Sequence, residues 1–243
     1  MIESMNEKPE KLMFGYPPKR GLYDPAYEKD SCGVGFVADI KGVPSHQTML
    51  DAYNLNSRMD HRGGCGFEAN TGDGAGILMA LPHSYFKKVA KDELNADLPE
   101  AGRYSVGNIF LPRDQVEREQ CVKAINQIII EEGQRLVGWR DVPTDSKEAD
   151  VGPAALLAQP HITQLFIAAA EDLNGDAFER VLYLIRKRFT HALRNDETLN
   201  EAKQVYACSL STKIIVYKGM LTPGQLFPFY RDLTNPDFAT HLA

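Results

Sequence analysis

Apolar residues in this chain come in separate blocks, with strand-length runs in pairs and helix-length stripes standing apart from them. Strict alternation would build a parallel sheet wrapped in helices, whereas this spacing predicts an α+β or layered sandwich architecture. Three segments carry the helical period. Residues 46–59 bring Met49, Ala52, Tyr53 and Met59 near one face, with Ser45 as N-cap. Residues 114–132 turn Val116, Cys121, Ala124, Ile125, Ile128 and Ile129 inward. The third stripe is Phe178, Val181, Leu182, Ile185, Phe189, Ala192 and Leu193, and residues 82–94 also read as helix. Strand-like runs cover residues 33–40, 77–81, 103–111, 136–142 and 165–170, with 33–40 as the first buried strand. Residues 204–210 and 213–218 alternate around Ser211-Thr212 and read as a hairpin. Thr222-Pro223 starts a short helix that Pro228 ends or kinks.

The 243 residues suffice for one large domain or two small ones, and 43% apolar with 25% charged is ordinary for a soluble globular protein. A net charge of -6 with no basic cluster to offset it argues against a nucleic-acid face. The triplet Arg186-Lys187-Arg188 shares its helix with an apolar stripe and reads as a solvated face. No apolar run approaches the roughly 20 residues a spanning helix needs, so no membrane partner is expected. Six acidic residues in the first 31 argue against a signal or transit peptide, which predicts a cytoplasmic protein. Cys32, Cys65, Cys121 and Cys208 contain no C-x-x-C pair, which suits neither a disulfide scaffold nor a metal site. His46 and His191 read as surface or boundary residues. Cys121 belongs to a helix core, and Cys208 falls on an outer or opposite face.

Chemistry concentrates in two stretches. A polar leader, rich in proline and without hydrophobic periodicity, ends at Asp30-Ser31; Cys32-Gly33-Val34-Gly35-Phe36 follows. The glycines leave the backbone beside the thiol bare, open to close approach by a substrate. Cleavage between Ser31 and Cys32 would give the thiol its own α-amine as a base, since such an amine titrates at about 7.7–8.0. On spacing alone a buried strand cysteine is the commoner case. The second stretch, Asp60-His61-Arg62-Gly63-Gly64-Cys65-Gly66-Phe67 and then Thr71-Gly72-Asp73-Gly74-Ala75-Gly76, is dense in glycine. It precedes a strand and lacks the G-x-G-x-x-G spacing, so dinucleotide binding is disfavoured and a site wall is the better reading.

Taken together, Cys32-Gly33-Val34-Gly35-Phe36, Arg58-Met59-Asp60-His61-Arg62-Gly63-Gly64 and Thr71-Gly72-Asp73-Gly74-Ala75-Gly76 resemble the class II glutamine amidotransferases. The narrower resemblance is to the N-terminal glutaminase domain of the glutamate synthase large chain. It is carried also by Val137-Gly138-Trp139-Arg140-Asp141-Val142-Pro143 and by Ser209-Leu210-Ser211-Thr212-Lys213 through Gly219, and it runs from about residue 20 to the end. The resemblance implies a four-layer αββα N-terminal-nucleophile hydrolase fold, incomplete at its C-terminal end. It makes residues 1–31 a propeptide and 32–243 part of the amidotransferase domain. Cys32 becomes the catalytic nucleophile, and Arg62 and Gly63 become substrate-binding wall; no metal is implied. The partners implied are L-glutamine, the remainder of the synthase chain and a small reductase subunit. The family's FMN and iron–sulfur cluster, served by NAD(P)H or ferredoxin, are expected outside this segment.

The family's later H-x-R-x-S/T and Asn-Gly-Glu motifs, for substrate carboxylate and oxyanion, are absent from this sequence. Loss of one oxyanion donor costs about 10²–10³ in rate in comparable chemistry, so the chain by itself is expected to be inactive. A non-catalytic truncated fragment or interaction module is the second reading, and another class II amidotransferase the third.

Overall fold

A computed structural model describes residues 19–22, 24, 33–62, 68–171, 173 and 175–243. Residues Met1–Cys32 and Gly33–Ala243 separate into two compact units. Within the first, Lys19 and Asp24 form an ion pair at 2.6 Å. Every helix and strand among the described residues belongs to the second.

The larger sheet is antiparallel, with strand order β3 (Arg135–Asp141), β4 (His161–Ala168), β2 (Tyr104–Leu111), β5 (Tyr206–Ala207). Alternation along β2 and β4 sorts side chains between two cores. Ile109, Leu111, Leu165 and Ile167 face helices α3 (Gln115–Glu131) and α5 (Gly175–Arg194), where Cys121, Ile125, Phe178, Leu182 and Phe189 complete one core. Tyr104, Val106, Ile162 and Phe166 face the other way. There they meet the antiparallel ribbon of β1 (Ala75–Ala80) and β6 (Ile214–Gly219), together with α2 (His83–Leu94). Helix α1 (His46–Arg58) adds Met49 and Ala52 to this second core. A helix pair, a four-stranded sheet and a two-stranded ribbon therefore stack in that order, an α+β arrangement with two antiparallel sheets as expected.

Local chemistry explains the element ends. Asp114 caps α3 by accepting from Glu117 N at 2.8 Å. At the other end Gly133 has φ +70°. Its N–H bonds Ile130 O at 2.9 Å and the next N–H, of Gln134, bonds Ile129 O at 3.0 Å, a Schellman stop. Val116 and Ala192, expected inward, are exposed: the buried stripe of α3 begins only at Cys121, and that of α5 passes from Phe189 to Leu193. Helix α4 (Pro153–Ala158) falls between the strand-like runs 136–142 and 165–170, where the sequence reading has no helix, although Pro153 directly after Gly152 is an N1 proline signal. At Thr222 the expected cap forms as a capping box with Gln225, leading through a 3-10 turn into α6 (Leu226–Phe229).

Two expectations fail. Residues 204–218 are not a hairpin: β5 pairs with β2, while β6 pairs with β1 in the other layer. The Ser211-Thr212 turn is held by a helix instead, because Glu179 Oε1 on α5 accepts from Ser211 Oγ, Thr212 N and Thr212 Oγ1 at 2.9, 2.6 and 2.6 Å. Nor is 33–40 a buried strand. It runs without strand assignment except for one bridge, between Ala38 and Leu242, and Val34 and Phe36 are 89% and 78% exposed. Among the described residues its backbone pairs with 241–243 and, in a local turn, with Gly42 N, and apart from the half-buried Val37 its side chains stay uncovered.

Candidate active site

The stretch after the candidate nucleophile is anchored by the last residues of the chain. Val37 N donates to Ala243 O at 2.7 Å and Ala243 N to Val37 O at 2.9 Å; Asp39 N donates to His241 O at 2.8 Å. The same C-terminal residues reach β1, where Ala80 N donates to Leu242 O at 2.9 Å and Thr240 Oγ1 to Ala80 O at 2.9 Å. Residues 240–243 thus wedge between the 37–39 segment and the end of β1. Sequence reading left this tail without a role, and its contacts span some two hundred positions with no local pattern to reveal them.

On its other side the stretch lies against α1. A Cβ on Gly33 would sit 3.0 Å from Met59 Sδ and 3.4 Å from Arg62 Cβ, and one on Gly35 would collide with Leu55 Cδ2. Close approach thus favours glycine at both positions, as the sequence suggests, but what approaches is the protein's own helix. Leu55 completes the stripe Ala52, Leu55, Met59 at i, i+3 and i+7, a signal that was legible. Arg62 is placed by the turn that ends α1: Met59 N bonds Asn56 O at 3.0 Å, and Arg62 N bonds Met59 O at 2.8 Å. Next to it His61 Nδ1 lies 3.0 Å from Arg58 O, so that nitrogen carries the proton and caps a helix carbonyl. Arg62 and Gly33 are thus brought together. Cys32, Gly63 and Cys65 lie outside the described residues.

Between these elements runs a groove of about 380 Å³. Its walls are the 33–37 backbone with Val34 and Phe36, Leu55 and Met59 of α1, Leu78 of β1, and the terminal Leu242–Ala243. Asn56 is the one polar side chain among the described lining residues. The glycine-dense stretch contributes Gly76 to this wall, whereas Gly72 is committed elsewhere: a Cβ there would collide with the Leu221 backbone.

The remaining candidate groups are poor nucleophiles or structural. Burial pushes the Cys121 thiol up to about 11, with Glu117 and Asp196 adding to it. Burial likewise raises Cys208 to about 12 against a small opposing pull from Lys218. At neutral pH neither presents a thiolate, which suits packing and not chemistry. His46, expected at the surface, is half-buried with Nδ1 3.0 Å from Phe238 O, and so helps hold the C-terminal segment. His191 is exposed as expected. The basic triplet is occupied on the surface of α5: Arg188 pairs with Glu131 and Glu132, while Arg186 and Lys187 lie over the Tyr183 ring. Among the described residues no group of three or more His, Cys, Asp or Glu could hold a metal ion, so no donor set for an iron–sulfur cluster is found there. No helix among them is long and apolar enough to cross a membrane.

With this geometry, residues 32–243 match the family described as glutamine amidotransferases class-II. The chain is 40% identical over 236 residues to glutamate synthase [NADH] of Saccharomyces cerevisiae, covering 93% of this chain and 11% of that protein. It is 40% identical over 228 residues to the glutamate synthase [NADPH] large chain of Bacillus subtilis, covering 93% and 14%. A ferredoxin-dependent glutamate synthase of Arabidopsis thaliana is 37% identical over 219 residues, covering 90% and 13%. The chain thus spans about one-eighth of the length of these relatives, and the family match opens at residue 32, the cysteine with which the glycine stretch begins. It belongs to the class II glutamine amidotransferases.

Proposed function

We propose that this chain is the glutaminase part of a glutamate synthase, releasing ammonia from L-glutamine for transfer to 2-oxoglutarate. Residues 1–31 are a propeptide, and its removal leaves Cys32 as the first residue of the mature domain. The Cys32 α-amine takes the thiol proton, and the sulfur adds to the side-chain carbonyl carbon of glutamine. The C–N bond then breaks, the α-ammonium returns a proton to the leaving nitrogen, and ammonia departs. Water hydrolyses the resulting thioester to glutamate and frees the thiol. Arg62 and Gly63 form the wall beside the nucleophile, and the groove next to Gly33 receives the substrate.

The observation that carries this reading is the junction at residue 32. The family match begins there, and the bare backbone of Gly33 lies against Met59 and the Cβ of Arg62. The remaining machinery belongs to the rest of the synthase chain in the cytoplasm: FMN, an iron–sulfur cluster, and a small reductase subunit or ferredoxin as the electron source. The flavin and cluster supply the reducing chemistry when bound; the residues of this segment bind glutamine and move protons.

The test is Cys32→Ala in the full-length synthase. Glutamine-dependent glutamate formation should fall to background while ammonia-dependent formation persists, and intact mass of the wild-type protein should show Cys32 as first residue. Full glutaminase turnover in the variant, or a mature protein that keeps residues 1–31, would overturn the proposal.

A further inference from the structure

In the groove beside Gly33, the side-chain Nδ2 of Asn56 is shielded from solvent and has no hydrogen-bond partner among the described residues. Ser57 Oγ, Ser105 Oγ and Asn108 Oδ1 are likewise buried without a partner among the described residues, but of the four only Asn56 lines the groove. Buried polar groups in native proteins are nearly always paired, and an unpaired amide destabilises the fold. A leucine or alanine would line this wall without that penalty, and the wall is otherwise built from such residues: Val34, Phe36, Leu55, Met59 and Leu78. Position argues that the amide is there for a partner that arrives. Asn56 lies on the last turn of α1, six positions before Arg62, and Met59, between them, lies against Gly33. Its own backbone is occupied in that turn, since Asn56 O accepts from Met59 N at 3.0 Å. The free group is therefore an N–H₂ donor, and a donor selects an acceptor oxygen.

We infer that Asn56 is a specificity-determining residue for glutamine, donating from Nδ2 to an acceptor oxygen of the bound substrate while the apolar wall packs its methylenes. The inference rests on the proposed glutaminase site. It explains a selectivity that an apolar groove could not provide alone. A site with an unmet donor favours the ligand that satisfies it and rejects an analogue of the same shape that cannot, because the donor then stays buried and unpaired.

The experiment uses the full-length synthase. Binding is separated from turnover by titrating L-glutamine into Cys32→Ala and into Cys32→Ala/Asn56→Leu. Steady-state glutaminase kinetics are run on Asn56→Leu and Asn56→Gln with Cys32 intact. The expected result is an affinity at least tenfold weaker in the Asn56→Leu background, with a KM raised by a similar factor and kcat lowered less than threefold. Asn56→Gln, which keeps the amide donor, should recover part of the KM. The unfolding temperature of Asn56→Leu should equal or exceed that of wild type, since an unpaired amide has been removed. An affinity changed by less than threefold overturns the inference, as does a lowered unfolding temperature accompanied by an equal loss of kcat, which marks a structural partner instead. Failure of the underlying reading looks different: Cys32→Ala would then retain glutaminase activity whatever stands at position 56.

Discussion

Around Asp232 polar groups from five elements meet in the interior, and each is answered; in the groove beside Gly33 a single amide is left without an answer. Asp232 Oδ1 accepts from Tyr85 Oη at 2.8 Å and Arg140 Nη2 at 2.9 Å. Its Oδ2 accepts from Arg140 Nη1 and from Tyr217 Oη, both at 2.8 Å. Arg140 Nε reaches Glu93 Oε2 at 2.7 Å, and Gln164 Oε1 takes a second bond from Arg140 Nη1 at 2.7 Å. This knot ties α2, β3, β4 and β6 to the 3-10 turn Arg231–Thr234. The side chains of Arg140 and Asp232 are only 4% and 1% exposed. Burial pulls the Arg140 pKa down, but the bonds to Asp232 and Glu93 outweigh it and hold the guanidinium charged. The contrast shows what burial of polar groups requires. Around Asp232 the buried charge keeps both carboxylate oxygens in hydrogen bonds, whereas the groove leaves a donor open, as happens elsewhere among the described residues only at the neutral groups Ser57 Oγ, Ser105 Oγ and Asn108 Oδ1.

The largest effect should follow from breaking the knot. Asp232→Ala removes the buried counter-charge of Arg140, leaving it only the half-exposed Glu93, and takes an acceptor from two phenols. Removal of one partner of such a pair costs about 3–5 kcal/mol, a large share of a typical domain stability of about 5–15 kcal/mol. Chemical denaturation of the full-length protein, followed through this domain's transition, should show that loss. A cost below about 1 kcal/mol would mean that the knot is not what fixes these elements, and the comparison would lose one of its sides.

A second, smaller effect sharpens the same contrast through pH. Burial, then the neighbouring Asp232 charge, pushes the Tyr85 and Tyr217 hydroxyls well above the usual phenol range. Above pH about 10 an unfolded chain releases these protons while the folded one keeps them, so the unfolded state binds fewer protons and stability falls as pH rises. Stability from this source is complete below pH about 10 and is lost as pH climbs toward the raised folded values. Denaturation curves between pH 8 and 11 should be flat and then decline, and Tyr85→Phe should decline less steeply. An unchanged slope in that variant would remove Tyr85 from the titrating set.

How much of each region was legible follows from the range of its contacts. The stripes of α1, α3 and α5 are local patterns, and Met49, Cys121, Ile125, Leu182 and Phe189 are buried as their spacing predicts. Arg62 and the glycines at 33 and 35 could be singled out as a motif, and they do adjoin. The Asp232 knot is invisible in sequence because its members lie up to 147 positions apart and each, read alone, is an ordinary surface-type residue. The 204–218 hairpin failed for a related reason: alternation shows that two runs are strands, but not which sheet each joins. Between the two strands the chain is pinned by a helix carboxylate, Glu179. Residues 33–40 were read as buried from apolar content alone, and content does not tell whether a covering layer is at hand.

The smallest expected change in stability comes from Gly35→Ala, and it probes the groove side of the comparison. The new methyl group would meet the end of the Leu55 side chain, colliding with Cδ2 and lying 3.0 Å from Cδ1 and 3.2 Å from Cγ. Because those are the far atoms of a flexible side chain, Leu55 can turn away, and the cost belongs at the low end of the overpacking range, about 1 kcal/mol. Activity should suffer more than stability. The segment pushed off α1 is the one that leads directly to Cys32, and a displacement of about 1 Å can cost on the order of 10²-fold in rate. Leu55→Ala placed behind Gly35→Ala removes the obstruction, so the double variant of the full-length enzyme should recover glutaminase activity relative to Gly35→Ala alone, with a coupling energy of about 0.5 kcal/mol or more. Strict additivity of the two substitutions would show that α1 does not set the position of the segment that follows the proposed nucleophile, and that the order of the groove comes from the C-terminal residues 241–243 alone.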